Sequence, residues 1–127
     1  LKARITQLRS VQPGQTVSYG GTFTVNEPST LALVPLGYAD GYSRALSNRA
    51  EVLIKGQRCP VVGAVCMDQF VVDVTQMTHP VLGDEVTLLG RDGRDEITVR
   101  ELANWMDGIS HEVVSGLSNR LPRVFME

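Results

Sequence analysis

The run Thr30-Leu31-Ala32-Leu33-Val34-Pro35-Leu36 has no charge and, after Thr30, no polar side chain. Its length suits a strand, and an all-apolar strand has both faces buried or lies at a partner surface. The stretches around it are also short, β-branched and separated by turn residues. Ala3 to Val11 partly alternates apolar with polar and reads as one strand, Pro13-Gly14 as a turn, and Gln15 to Tyr19 as a second extended segment broken by Gly20-Gly21. Glu27-Pro28-Ser29 is a further turn. Ala50 to Ile54 and Gln57 to Val62 flank Lys55-Gly56, which predicts a two-residue hairpin. Phe70 to Val74 and Val86 to Leu89 complete the strand set, with turns at Pro80 to Asp84 and Asp92-Gly93. One strong helix signal comes late. Thr98 and Glu101 have capping-box spacing, Val99, Leu102, Ala103 and Met106 recur at helical period, and Gly108 marks a stop. A second short helix is expected over His111 to Leu117. The fold class is therefore mainly β: a small β-barrel or sandwich of seven to nine short strands with one or two short helices near the C-terminus.

Composition bounds the function. A chain of 127 residues is expected to form one domain, burying roughly two-thirds of its unfolded-chain surface. Twelve basic and fourteen acidic side chains give a net charge of −2 with no basic block, so nucleic acid has no electrostatic footprint here. No apolar stretch approaches the ~20 residues of a membrane span. Cys59 and Cys66 form no zinc or CxxC pattern, and with His79 and His111 far apart no metal site is expected. A reducing cytoplasm is the expected location. The chain opens at Leu1 on a strand-like run, as an excised piece of a longer protein would.

Candidate chemistry gathers in glycine-flanked stretches, where backbone can approach a ligand closely. Tyr19 lies between two strand fragments and before two glycines. It is either a base projecting from a bulge or a packed tyrosine bonded to the backbone. With a pKa of about 10, roughly one phenol in a thousand is ionised at pH 7, so acting as a base requires about 4 kcal/mol of help. Gly63-Ala64-Val65-Cys66-Met67-Asp68-Gln69 reads as a loop or bulge entering the strand at Phe70. Met67 can offer its main-chain N–H to an anion or fill a core gap. Asp68 and Gln69 fix the loop, reach a partner, or lie solvated. Tyr38, Asp40, Tyr42 and Arg44 occupy a glycine-punctuated loop where aromatics and an arginine can line an entrance and attract a carboxylate. Arg120-Leu121-Pro122-Arg123 either binds an anion or caps a terminus.

Taken in order, Val17-Ser18-Tyr19-Gly20, Gly37-Tyr38-Ala39-Asp40-Gly41, Gly63 to Gln69 and Ser118-Asn119-Arg120-Leu121-Pro122-Arg123 resemble the C-terminal domain of alanine racemase over essentially the whole chain. The resemblance implies a β-domain that follows an N-terminal (β/α)8 barrel carrying pyridoxal phosphate on a lysine. It also implies head-to-tail homodimers in which the β-domain of one subunit covers the barrel mouth of the other. By that resemblance Tyr19 is the base that exchanges the α-proton with L-alanine, while the barrel lysine serves the opposite face. Met67 meets the substrate carboxylate through its N–H, and Tyr38 and Arg44 line the substrate entrance. The reaction would supply D-alanine for cell-wall precursors.

The sequence departs from the family pattern at four places. Asn119 stands where many members have a tyrosine touching the cofactor phosphate, which makes serine or a broader set of amino acids an alternative substrate. Ala64 replaces a common arginine, His111 a frequent tyrosine, and Gly21 an alanine. Lys2 and Lys55 are the only lysines and neither sits in a cofactor-lysine motif, so the fragment alone is expected to bind no pyridoxal phosphate and to be inactive. Removal from the barrel predicts an exposed apolar patch and weak self-association. The competing expectation is a non-catalytic β-barrel serving binding or dimerisation.

Overall fold

The computed structural model describes residues 1–18 and 20–125. Eleven strands and two helices are present among them. They are β1 (Lys2–Arg4), β2 (Gln7–Val11), β3 (Thr16–Val17), β4 (Phe23–Thr24), β5 (Ser29–Val34), β6 (Glu51–Ile54), β7 (Gln57–Val62), β8 (Phe70–Asp73), β9 (Glu85–Thr87), β10 (Gly90–Asp92), β11 (Asp95–Ile97), α1 (Val99–Trp105) and α2 (Ser110–Ser115). Seven strands form one antiparallel sheet in the order β1-β9-β6-β7-β8-β5-β2, with β3–β4 and β10–β11 as separate two-stranded ladders.

The two edge strands of that sheet are neighbours in the chain. Ala3 to Val11, expected as one strand, is divided at Ile5-Thr6. The Ile5 N–H donates to Asp84 O (3.0 Å) on the β9 side, and the next N–H, Thr6, donates to Leu33 O (3.1 Å) on β5. Successive residues of an extended chain point their amides to opposite sides. A single bent strand can therefore serve both ends of a sheet only if the sheet curls until those ends meet. Ile5 is buried at this corner, inside the main core.

The apolar run is covered fully on one face and in part on the other, where Leu33 is half-buried; Pro35, beyond the strand, is exposed. Ala32 and Val34 enter the main core with Val52, Ile54, Val61, Phe70, Val72 and Val86, which Leu102, Ala103 and Val113 of the helices also join. Leu31 points the other way, into a smaller cluster with Val11, Val17, Val25 and Val62 beneath the β3–β4 ladder. At the expected hairpin, Lys55 (φ 52°) and Gly56 (φ 75°) both take positive φ, the geometry whose twist matches two antiparallel strands.

At α1 only half of the capping box forms. Thr98 Oγ1 accepts from the Glu101 N–H (3.0 Å), but the Glu101 carboxylate binds Arg58 (2.8 Å). The stop is likewise shifted. Asp107 (φ 54°), not Gly108, adopts the left-handed turn, and Gly108 N–H returns to Ala103 O (2.9 Å).

Candidate functional site

Strand β7 ends at Val62, and the chain turns through Gly63 (φ 80°) into a loop that makes almost no main-chain ladder. Amides in such a loop need other acceptors, and the fold supplies them one by one. Gly63 N–H donates to Asn48 Oδ1 (2.6 Å), Ala64 N–H to Ser18 Oγ (2.7 Å), and Val65 N–H to Ser47 Oγ (2.8 Å). Cys66 N–H donates within the loop to Gln69 O (2.9 Å). Met67 is the first residue in this run whose N–H meets no acceptor among the described residues.

The carbonyls of the same loop fix where that N–H points. Cys66 O accepts from Tyr38 N–H and Met67 O from Ala39 N–H, both at 3.0 Å. In a trans peptide the C=O and N–H point in opposite directions. With Cys66 O turned toward Tyr38, the Met67 N–H faces away from the 3-10 turn Tyr38–Asp40. The approach depends on Gly37, because a Cβ there would overlap Cys66 O and the Met67 main chain.

Asp40 joins a third segment to these two. Its side chain is almost fully buried; Oδ2 accepts from Gly37 N–H (3.0 Å), and Arg120 Nε lies 3.3 Å from Oδ1. The carbonyl of Asp40 accepts from Ser118 N–H (3.0 Å), and Arg120 Nη2 reaches Asp68 Oδ1 (3.1 Å). A buried carboxylate is tolerated because it is paired and hydrogen-bonded. Asn119, between the two anchored residues Ser118 and Arg120, is exposed. Arg123 donates to the carbonyls of Leu117, Ser118 and Leu121, so here the Arg-Leu-Pro-Arg stretch caps the chain after α2, while Arg120 pairs with the buried Asp40 and the exposed Asp68.

Two clefts flank the loop. One, of about 380 Å³, is lined by Tyr38, Arg44, Ala64, Val65, Cys66 and Met67. It brings together three of the expected site residues. Arg44 is exposed and has no carboxylate partner among the described residues, so the cleft has a cation on its wall. Tyr38 (46 % exposed) and Met67 (54 % exposed) give it an apolar rim. The other cleft, of about 370 Å³, lies over the outer face of β2, β5 and β8, with Arg9, Ser18, Leu33, Ala64, Cys66 and Gln69 among its walls. Tyr19 lies outside the described residues. Its neighbour Ser18 is on the second cleft, and Ala64 and Cys66 border both.

Several side chains differ from their expected surroundings. Tyr42 does not line an entrance: it is core, stacked on Phe70 with ring centroids 4.7 Å apart, and burial raises its phenol well above the ordinary value. Cys59 is also buried. That desolvation, with Asp73 and Glu51 nearby, pushes its thiol up to about 11, which keeps it an unreactive packing residue. His79 and His111 are exposed. Among the described residues no three of His, Cys, Asp and Glu cluster closely enough to hold a metal ion, and no helix is long and apolar enough to cross a membrane. Neither lysine is at the clefts. Lys2 pairs with Glu85 (2.7 Å), and Lys55 lies 3.3 Å from Asp84 and donates to His79 O. Ser47 and Asn48 were not foreseen. The available signal was Asn48 itself, since asparagine is a residue that tolerates the left-handed conformation it adopts here (φ 58°).

The fold and site define a curled-sheet β-domain whose loops carry an undirected amide at Met67 and an open cleft with a cation and an aromatic side chain on its walls. The alanine racemase C-terminal domain family matches residues 1–125, and the chain belongs to that family. It is 50 % identical over 124 residues to an alanine racemase of Symbiobacterium thermophilum and 46 % identical over 127 residues to one of Geobacter sulfurreducens. Those matches cover 98 % and 99 % of this chain but 33 % of each relative, so the chain spans about a third of the length of the curated relatives it matches. Among solved structures, alanine racemase from Bacillus anthracis with bound L-Ala-P superposes with a TM-score of 0.93 at 36 % identity, covering 99 % of this chain and 32 % of that one. Alanine racemase from Bartonella henselae with covalently bound pyridoxal phosphate gives a TM-score of 0.91 at 34 % identity, covering 98 % and 34 %.

Proposed function

We propose that the full-length protein is a pyridoxal-phosphate-dependent alanine racemase interconverting L- and D-alanine, and that this domain contributes Tyr19 as a base to the active site of a partner subunit. The observation that carries this reading is the Met67 amide, left without an internal acceptor at the end of a run of satisfied ones. An oriented amide of this kind suits a substrate carboxylate, and Arg44 on the same cleft adds positive charge. Tyr38 and Met67 form the apolar rim that a partner barrel would cover.

The cofactor belongs to the rest of the protein, because the two lysines of this chain are engaged elsewhere. When bound it withdraws electrons from the substrate α-carbon and so acidifies its proton. The chain's own part is to hold the carboxylate at Met67 and to exchange that proton at Tyr19 Oη, on the face opposite the base supplied by the barrel. The fragment alone is accordingly inactive. In the cell the proposed setting is a cytoplasmic head-to-tail homodimer that supplies D-alanine for the cell wall.

The test is complementation in trans. The fragment is mixed with the same protein's N-terminal portion and pyridoxal phosphate, and conversion of L-alanine is assayed. Activity present only in the mixture, and lost with Tyr19→Phe, supports the reading. Two folded, associated pieces without activity reduce the domain to a binding or dimerisation module.

A further inference from the structure

The direction of the Met67 N–H is set by one bond. Its peptide plane, shared with the Cys66 carbonyl, has a single hydrogen bond among the described residues, from Tyr38 N–H to Cys66 O (3.0 Å). The C=O and N–H of a trans peptide are fixed relative to each other, so the amide points wherever Tyr38 holds that oxygen. Ala39 N–H on Met67 O (3.0 Å) steadies the next plane. Both donors belong to the turn Tyr38–Asp40, and whatever holds this turn aims the amide.

Asp40 holds it. Its Oδ2 accepts from Gly37 N–H (3.0 Å), and its own N–H donates to Gly37 O (2.9 Å), so the turn is closed on Gly37 from both sides. The carboxylate is buried, and Arg120 Nε, 3.3 Å from Oδ1, is the cation that offsets its burial. The same guanidinium donates from Nη2 to Asp68 Oδ1 (3.1 Å), on the residue that follows Met67. Arg120 therefore ties the turn to the loop once more, beside the amide. It also offsets a negative charge next in sequence to a donor proposed to receive an anion. Behind the turn, Ser118 N–H donates to Asp40 O (3.0 Å), and a Cβ at Gly41 would overlap Gly116 O.

We infer that Asp40 and Arg120 are positioning residues that set the direction in which the Met67 amide meets a substrate carboxylate. Asp40 closes the turn that carries both anchors, and Arg120 locks Asp40 to Asp68. They act through the turn rather than on the substrate. This inference rests on the reading of Met67 as the carboxylate donor.

The test uses the full-length enzyme with pyridoxal phosphate and compares Asp40→Asn, Arg120→Gln and the double variant. A contact made equally in the ground and transition states acts on KM and leaves kcat alone. KM for L-alanine should therefore rise roughly tenfold in each single variant, the scale of one weakened hydrogen bond to a charged group. The double variant should be no worse than the more impaired single one, because the two residues act as a unit. Arg120 is exposed, so Arg120→Gln carries the test even if the buried Asp40→Asn folds poorly. The companion measurement is the affinity for L-alaninamide, which lacks the carboxylate, read with that for L-alanine from the cofactor absorbance. It should be the same in wild type and variants. An unchanged KM in Arg120→Gln, a fall in kcat alone, fully multiplicative losses in the double variant, or equal weakening of L-alanine and L-alaninamide would each overturn the inference. A wild-type enzyme that binds L-alaninamide as tightly as L-alanine removes instead the underlying reading of Met67.

Discussion

Two clusters hold irregular segments of this domain together, by different physics. At the cleft end, the loop Gly63 to Gln69 is fixed by neutral bonds that successive amides donate to Asn48, Ser18 and Ser47, and by close approach to Gly37. At the other cluster, Arg58 gathers β6, the β10–β11 ladder and α1 with charge. Its guanidinium reaches Asp95 (2.8 Å), Glu101 (2.8 Å) and Glu51 (3.1 Å), and donates to Glu96 O (3.0 Å). Side-chain-to-amide bonds specify one loop conformation, since each amide has a fixed direction. A partly exposed guanidinium among carboxylates joins elements firmly but tolerates displacement, and it is weakened by salt. The precise segment is the one that presents a functional amide.

The comparison is broken most severely at Gly37. Gly37→Ala forces a methyl into the Cys66 and Met67 main chain, and backbone cannot yield as a flexible side chain can. A destabilisation of about 3 kcal/mol in urea denaturation is expected, with the cleft-lining segments losing hydrogen-exchange protection first. Stability within a few tenths of wild type would mean that the loops are far looser than their contacts indicate.

Arg58→Met addresses the charged cluster and should cost about 1–2 kcal/mol, since it removes one cation from three carboxylates at once. The difference from wild type should shrink in 1 M salt, where the screening length falls to about 3 Å. A cost independent of salt would assign the role of Arg58 to its aliphatic stem.

The smallest effect is in the acid range. Hydrogen bonds from Arg58, and then from the Glu96 amide, hold the Asp95 carboxyl below the ordinary carboxylate range. A carboxylate with a lowered folded-state pKa contributes stability that is present above its unfolded value, about 4, and is lost as pH falls through the folded value. Thermal midpoints of wild type and Asp95→Asn should therefore differ at pH 6 and converge as the pH falls below the ordinary carboxylate range. Curves that stay parallel to the acid end would show that the pairing adds nothing.

Much of the architecture was legible in residue order. The run Thr30 to Leu36 announced a strand, with burial on both faces or a partner surface left open, Lys55-Gly56 a hairpin, and Thr98 with Glu101 the start of α1. Strand β3 falls within the extended segment read over Gln15 to Tyr19, whereas β4, β10 and β11 escaped because two or three residues carry too little alternation to register. Tyr38, Arg44 and Met67 could be named from their motifs, and the fold brings them to one cleft. Tyr42, two residues from Asp40 in the same stretch, went to the core instead.

The sequence by itself determined the class of fold, the family and the residue types available for chemistry, because periodicity, turn residues and motif order are local properties of the chain. Only the tertiary structure decided that Ala3 to Val11 bends to close the sheet and that Glu101 serves Arg58 rather than its own helix cap. It alone brought Ser18, Ser47 and Asn48 onto successive amides, leaving Met67 as the first donor of the loop without a partner among the described residues. The physical reason is that an amide's availability depends on every acceptor that packing brings within about 3 Å, and those acceptors lie tens of residues away in sequence.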